Sequence, residues 1–310
     1  MSSALLRPAA LAPGDLVRVV APSSPFAPDD LKAGIAVLEG WGLRVAHRDD
    51  LLERREYLAG SPRRRADELH QAFSDPECKA VLPVRGGYGL TTVLPLLDPA
   101  VFRASPKAVV GCSDFTVLLN FLAQECGMAC MHGPMVGALG RAGDPAGADR
   151  LKHLLFGGAP GTLRSALPDA LGWCLSPGTA RGVALGGSLS LLAAQCGTPW
   201  QLRTEGAVLF LEDVGERPYR VDRLLVQIEQ AGLFDGVAAI VLGDFVGCVE
   251  ANSDLSWRHA VERVLRGRAV PVLAGVPFGH GVPNLTLPLG LPCQVDAGAG
   301  TVRFRKGALA

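Results

Sequence analysis

Apolar residues along this chain alternate between short continuous runs and stretches with helical spacing. Leu16 to Ala21, L-V-R-V-V-A, reads as a strand stopped by the P-S-S-P turn after it. From Asp29 to Trp41 the apolar positions Leu31, Ile35, Leu38 and Trp41 keep the spacing of one helix face, and Gly42 serves as the C-terminal cap. Leu43 to His47 returns to strand. Ser61-Pro62 gives a cap and a first-turn proline to a helix in which Leu69, Ala72 and Phe73 share a face. Lys79 to Val84 and Ala108 to Val110 are further strands, and Val117, Leu118 and Phe121 mark the helix after the second of them. Strands alternating with helices predict an α/β fold with a mostly parallel sheet, whose ligands bind at the strand carboxyl ends.

From Gly140 to Arg181 the pattern weakens into A-G-D-P-A-G, G-G-A-P-G-T and S-P-G-T, with one helix around Ala148 to Phe156. Such a linker predicts two domains, 1–165 and 166–310, with the boundary near residue 165. Trp173 within it reads as a core anchor, with an aromatic platform for a ligand as the alternative. Beyond the linker, Gly186-Gly187 reads as a turn, and Leu189, Leu192 and Ala193 begin a buried helix. Gly206 to Leu211 is an apolar strand running into Glu212-Asp213, and Val221, Leu224, Leu225 and Ile228 stripe the next helix. Val237 to Phe245 is one more buried strand.

Composition narrows the class. At 310 residues the chain can bury two cores, and its 30 basic and 30 acidic side chains balance without a charged tail. That argues against a nucleic-acid partner or a membrane surface. The N-terminus lacks a basic leader followed by an apolar core, and no run approaches the ~20 apolar residues of a membrane span, so a cytoplasmic protein is expected. The eight cysteines form no C-x-x-C pair and read as buried thiols in a reducing compartment, not as disulfides or zinc ligands.

The chemistry centres on V-V-G-C-S-D-F-T, Val109 to Thr116, which reads as strand, sharp turn and helix. A serine on that turn projects its hydroxyl from the carboxyl end of a sheet, where the first helix amides can receive negative charge, so Ser113 is a candidate nucleophile. Taken alone, Ser113 reads more simply as a helix N-cap, with Asp114 suiting the first turn. Phe115 also replaces the second glycine of the G-x-S-x-G elbow, so a nucleophile here sits on a scaffold other than the α/β-hydrolases. At the end of the Lys79 strand lies R-G-G-Y-G, Arg85 to Gly89, where Gly86 or Gly87 could bring an amide to an oxyanion or simply make a tight turn.

Other titratable residues carry weaker signals. His132 reads as a structural histidine or secondary contact in preference to a catalytic base. Glu212 and Glu216 flank a turn. Glu216 reads as a helix-start acid or a partner of Arg217 or Arg220, whereas Glu212, directly after a strand, is better fixed to orient an imidazole. His259 and Glu262 read as solvated helix surface, not half of a metal site. His280, in V-P-F-G-H-G-V-P-N, lies on a loop suited to function.

The ordered set G-D-L-V-R-V-V-A-P-S-S-P, R-G-G-Y-G, G-C-S-D-F-T, H-G-P-M, L-E-D-V-G-E-R-P-Y-R and G-H-G-V-P-N-L-T-L-P-L-G spans nearly the whole chain. It resembles the LD-carboxypeptidase family of serine peptidases, which includes muramoyltetrapeptide carboxypeptidases and microcin C immunity peptidases. The resemblance implies a Ser113-Glu212-His280 triad, an N-terminal α/β domain bearing the nucleophile, a smaller β-rich C-terminal domain bearing the other two residues, and a homodimer. With it come oxyanion donors at the amides of Gly87 and Asp114, no metal or other cofactor, and Arg85 or Arg217 as partner for a substrate carboxylate. The implied reaction cuts the bond from an L-centre of diaminopimelate to a terminal D-alanine of murein tetrapeptide during cytoplasmic cell-wall recycling. Ser188 departs from the pattern, which leads one to expect asparagine there. A peptidyl or aminoacyl nucleotide substrate and a non-catalytic peptide-binding module are the alternatives.

Overall fold

A computed structural model describes residues 5–141, 143–167 and 174–310. The chain divides into two compact units. The first takes the described residues through Ala159 together with Leu285–Gly290 and Gly307–Ala310; the second takes Pro160–Asn284 and Leu291–Lys306. The chain thus returns to its first unit twice near its end, a return that one cut near residue 165 does not contain.

The first unit is built on strands β1 (Leu16–Val20), β2 (Arg44–Ala46), β3 (Cys78–Pro83), β4 (Ala108–Gly111) and β5 (Cys130–His132). The helices among them are α1 (Pro28–Gly40), α2 (Pro62–Ser74), α3 (Pro99–Ala104) and α4 (Thr116–Glu125). Helices α5 (Val136–Leu139) and α6 (Pro145–Leu155) follow β5. Local chemistry explains the starts. Each of α1, α2, α3 and α6 opens with proline in its first turn, and the side chains of Ser61, Asp98 and Asp144 accept backbone N–H bonds as caps. Helix α1 buries Leu31, Gly34 and Leu38, and a Cβ at Gly34 would lie 2.2 Å from the Val136 carbonyl oxygen, which is how α5 packs so close.

Strand order in this sheet is β12-β5-β4-β3-β1-β2. The first five strands pair in parallel, and β12 (Leu287–Leu289), from the returning segment, pairs antiparallel with β5. The chain runs from β1 outward to β2, then crosses to β3 and proceeds the other way. The loops after β1 and β3 therefore part at a topological switch point, where a doubly wound sheet opens a crevice for ligands.

The second unit holds β6 (Thr162–Arg164), β7 (Cys174–Ser176), β8 (Thr179–Ser188), β9 (Ala207–Val214), β10 (Ala239–Val246), β11 (Val272–Leu273), β13 (Pro292–Asp296) and β14 (Thr301–Phe304). They form one sheet in the order β6-β14-β13-β8-β9-β10-β11-β7, parallel from β8 to β11 and antiparallel elsewhere. Helices α7 (Leu189–Gln195), α8 (Pro218–Gln230) and α9 (Trp257–Leu265) connect the parallel strands. On α8, Val221, Leu225 and Ile228 are buried, whereas Leu224 is half-buried.

Two local expectations change. Gly186-Gly187 is not a turn but part of β8, in register with Phe210 and Leu211. A Cβ on Gly186 would lie 2.0 Å from the Phe210 carbonyl oxygen, so the glycines serve close strand approach. Glu212 does not follow β9 but lies within it, paired with Ser188. No helix among the described residues is long and apolar enough to cross a membrane.

Candidate active site

In the first unit the strand-turn-helix reading holds in detail. All four residues of β4 are buried, Cys112 is extended at φ −150°, and Ser113 then takes φ 59° before a short 3-10 turn leads into α4. A side chain in the left-handed region costs roughly 1–2 kcal/mol, which the surroundings must hold in place. Ser113 makes no capping hydrogen bond, so the helix-cap reading is not realised; Cys112 and Phe115 occupy the cap positions of the turn and of α4. The Phe115 ring packs over Gly111, where a Cβ would lie 2.4 Å from Cδ1.

The R-G-G-Y-G loop stands beside this elbow because β3 and β4 are neighbours. A Cβ on Gly86 would lie 2.8 Å from Ser113 Cβ and 3.2 Å from the Asp114 amide nitrogen. Gly86 is thus the glycine pressed against the serine. Gly87, at φ 104°, is exposed and lies against Ser24 of the loop after β1. That loop is stitched to it: the Ser24 amide donates to the Gly86 carbonyl at 3.3 Å, and the Tyr88 amide donates to Ser24 Oγ at 3.1 Å. Arg85 is exposed and donates to the Pro25 carbonyl at 3.3 Å.

Beneath the loops lies a buried polar layer that sequence reasoning missed. The Asp114 carboxylate accepts Ser23 Oγ–H at 2.6 Å and the Leu90 amide at 2.9 Å. Burial pushes its pKa above the ordinary carboxylate range despite those donors. Arg65, wholly buried, donates to the carbonyls of Pro22 and Gly89, both at 2.8 Å. Glu68 accepts the Ala21 amide at 2.9 Å and an Arg64 N–H at 3.0 Å. His132 is the last residue of β5, buried and paired between Gly111 and Leu287.

The second unit presents a different cluster. Glu212, fully buried in β9, meets His280 with Oε2 2.6 Å from Nδ1. After β11 the chain continues alongside β10 in the same direction, with Val276 donating to Leu242 and Asp244 to Phe278, and this places the G-H-G loop beside Glu212. Burial alone would lower the His280 pKa. The hydrogen bond that the ring donates to Glu212 and the charges of Glu212, Asp213 and Asp244 outweigh it and raise the pKa above 6.5. Asp213 accepts the Ser190 amide at 2.7 Å and the Val214 amide at 2.8 Å, and burial pushes it up to about 6.

Of the remaining candidates, Ser188 sits beside Glu212 in the β8–β9 register, and the others make separate contacts. Glu216 pairs with Arg220 at 3.5 Å near the surface, and Arg217 approaches Glu250 at 4.0 Å. Ser188 Oγ lies 3.1 Å from Ser190 Oγ. His259 caps α9 reciprocally with Ser256. Trp173 lies outside the described residues. Asp244, unremarked in the sequence, had one legible signal: like Glu212, it is an acid ending an apolar strand run, L-G-D-F against L-E-D-V.

Comparison with known proteins gives concordant matches. Two family profiles fit, the LD-carboxypeptidase N-terminal domain over residues 17–133 and the LD-carboxypeptidase C-terminal domain over residues 181–295. A putative carboxypeptidase of Streptomyces coelicolor is 42% identical over 310 residues, covering 98% of each chain. The murein tetrapeptide carboxypeptidase of Pseudomonas aeruginosa is 33% identical over 283 residues, covering 88% of this chain and 91% of that one. Among solved structures, the microcin C7 self immunity protein MccF in complex with aspartyl sulfamoyl adenosine superposes with a TM-score of 0.87 at 26% identity, covering 98% of this chain and 100% of that one.

Proposed function

The chain belongs to the LD-carboxypeptidase family and is a peptidase, and we propose that it is a serine carboxypeptidase with Ser113 as nucleophile, His280 as general base and Glu212 as the acid that orients the imidazole. The observation that carries the reading is the 2.6 Å contact between His280 Nδ1 and the buried Glu212 carboxylate. With the Nδ1 proton held by Glu212, the Nε2 lone pair is the one that accepts a proton.

In this reading His280 takes the Ser113 proton as Oγ attacks the peptide carbonyl. The amides of Gly87 and Asp114 receive the oxyanion, and the imidazolium then protonates the departing amine. A water activated by His280 releases the acyl group and restores the serine. The φ of 59° at Ser113 supports the nucleophile role, because strain of that kind clusters where a side chain must be aimed. Arg85, exposed on the R-G-G-Y-G loop, is proposed to hold the terminal carboxylate of the leaving residue.

The proposed substrate is murein tetrapeptide, cut between the L-centre of diaminopimelate and the terminal D-alanine in cytoplasmic recycling, by a homodimer. The Pseudomonas relative, named for that substrate, supports it. The likeness to MccF with a bound aspartyl sulfamoyl adenosine favours a second reading with the same triad and an aminoacyl nucleotide as substrate. The test is paired: D-alanine release from tetrapeptide against cleavage of an aminoacyl sulfamoyl adenosine, with Ser113→Ala as blank. Loss of the serine should lower kcat by on the order of 10^4 or more. Fluorophosphonate labelling that is equal in wild type and Ser113→Ala, or absent from both, would sink the serine mechanism and favour a peptide-binding module.

A further inference from the structure

We propose that Asp244 is a positioning residue for His280: its carboxylate holds the 279–281 loop through the Gly281 amide and adds a second negative charge beside the imidazole that Glu212 orients. The inference rests on the reading of His280 as general base. It explains why His280 is flanked by glycine on both sides. A Cβ on Gly279 would lie 2.6 Å from Glu212 Oε2, and a Cβ on Gly281 would lie 2.3 Å from Asp244 Oδ2. The two carboxylates therefore occupy the space that side chains on either neighbour of His280 would need. A larger residue at either position would displace the acid beneath it.

Asp244 is tied to the loop from both of its ends. Its own amide donates to the Phe278 carbonyl at 3.0 Å, and its carboxylate accepts the Gly281 N–H. Gly279 is fixed in turn by donating to Asn284 Oδ1 at 3.2 Å. With residues 278, 279 and 281 held, the backbone on each side of His280 has little freedom. The direction of the ring then follows from the loop as well as from Glu212.

The electrostatics give a reason for an otherwise unfavourable arrangement. The charges acting on the imidazole are Glu212 and Asp213 from β9 and Asp244 from β10, with Glu212 in direct contact; those acting on Asp244 are Glu212 and His280. Burial and the neighbouring Glu212 charge raise Asp244 to about 6, so its ionised form is destabilised in the resting protein. A carboxylate kept at that cost is useful when a cation appears beside it. The imidazolium formed each time His280 takes the serine proton is such a cation, and fixed charges need no reorganisation to meet it.

Asp244→Asn isolates the charge, because the amide oxygen can still accept the Gly281 N–H. Two readouts apply: the NMR titration of the His280 ring, assigned by its loss in His280→Gln, and the pH profile of kcat/KM for the hydrolysed peptide. The expected result is a lower His280 midpoint in Asp244→Asn, an acid limb of kcat/KM displaced in the same direction, and kcat at the plateau reduced about threefold to thirtyfold with KM nearly unchanged. Asp244→Ser, which shortens the side chain and also removes the charge, gives the same direction and serves if the asparagine variant does not fold. A midpoint and a limb indistinguishable from wild type in the folded variant would overturn the assignment. Failure of wild type to hydrolyse any peptide would overturn the peptidase reading instead, and the titration would still decide whether Asp244 acts on His280.

Discussion

Replacing Glu212 by glutamine is the sharpest test of the triad. The substitution keeps shape at a position with no solvent exposure, yet removes the charge that faces His280 Nδ1 at 2.6 Å. Two losses follow. The charge-assisted hydrogen bond becomes a neutral one of roughly half the strength, and a glutamine N–H facing the ring favours the tautomer with its proton on Nε2, which cannot serve as base. In the Ser-His-Asp triad of serine proteases, the analogous acid-to-amide change lowers kcat by about 10^4. For Glu212→Gln the expectation is a kcat loss of about 10^3 to 10^4, or about 4–5.5 kcal/mol on the barrier, with KM little changed. The pH profile carries the sign. His280 works when neutral, and its pKa is raised above 6.5, so wild-type kcat/KM falls on the acid side through a pKa above that value; without the Glu212 charge the limb moves to lower pH. Glu216→Gln is the control: its ion pair with Arg220 is solvent-screened, and activity should stay within about twofold with stability within about 0.5 kcal/mol. Glu212→Gln within tenfold of wild type, beside an inactive Glu216→Gln, would refute the argument.

The other expectations concern what holds the reactive groups in place. Ser113→Ala and Ser113→Gly should be equally inactive, but only glycine relaxes φ 59°. Chemical denaturation should therefore find Ser113→Gly about 0.5–1 kcal/mol more stable than Ser113→Ala. Gly111→Ala puts a methyl 2.4 Å from the Phe115 ring and should cost about 1–3 kcal/mol in the same assay while abolishing fluorophosphonate labelling of Ser113. Asp213 is raised from 3.8 to about 6, so the folded protein binds its proton more tightly than the unfolded chain does. Its contribution is complete below pH 3.8 and is lost as pH rises through about 6. Asp213→Asn should accordingly gain stability relative to wild type between pH 4 and pH 8, by up to about 3 kcal/mol, and equal differences at the two pH values would count against it.

Much of this architecture was legible because it follows from local rules. Apolar runs and caps located β1, α1, α2, β3, β4 and α4 within a few residues, since Ser61-Pro62 and the Leu31-Leu38 spacing need no tertiary context. The elbow was legible as strand, turn and helix, but the choice between cap and nucleophile for Ser113 rests on φ, which one sequence does not display. Gly186-Gly187 misled for a related reason. Paired glycines signal a turn locally, whereas here they let β8 approach β9, a contact between residues far apart in the chain. The return of Leu285–Gly290 to the first unit is a tertiary choice of the same kind, since an apolar run can add to the edge of either sheet. Arg65, Asp114 and Glu68 carried the opposite signal to their role, because charged residues on predicted helices read as surface.

That buried layer accounts for the strained serine. Left alone, a left-handed Ser113 would relax by shifting the turn, and the loops on either side would follow. Asp114 prevents this from below: its carboxylate takes Ser23 from the loop after β1 and Leu90 from beyond R-G-G-Y-G, so the turn cannot rotate without breaking two buried hydrogen bonds. Arg65 closes the frame by joining the carbonyls of Pro22 and Gly89 through one guanidinium nitrogen. Glu68 anchors the Ala21 amide at the end of β1, and Arg64 holds Glu68. The Asp114 and Arg65 bonds tie together the loops that follow β1, β3 and β4, the place where the sheet reverses direction. Losing any one would leave a buried polar group without its partner, at about 1–3 kcal/mol or more for a charged one, which is as large as the strain itself. The geometry at Ser113 is thus fixed by Asp114 within the elbow and by the charges that α2 delivers from outside it, and packing of apolar side chains alone would not supply that constraint.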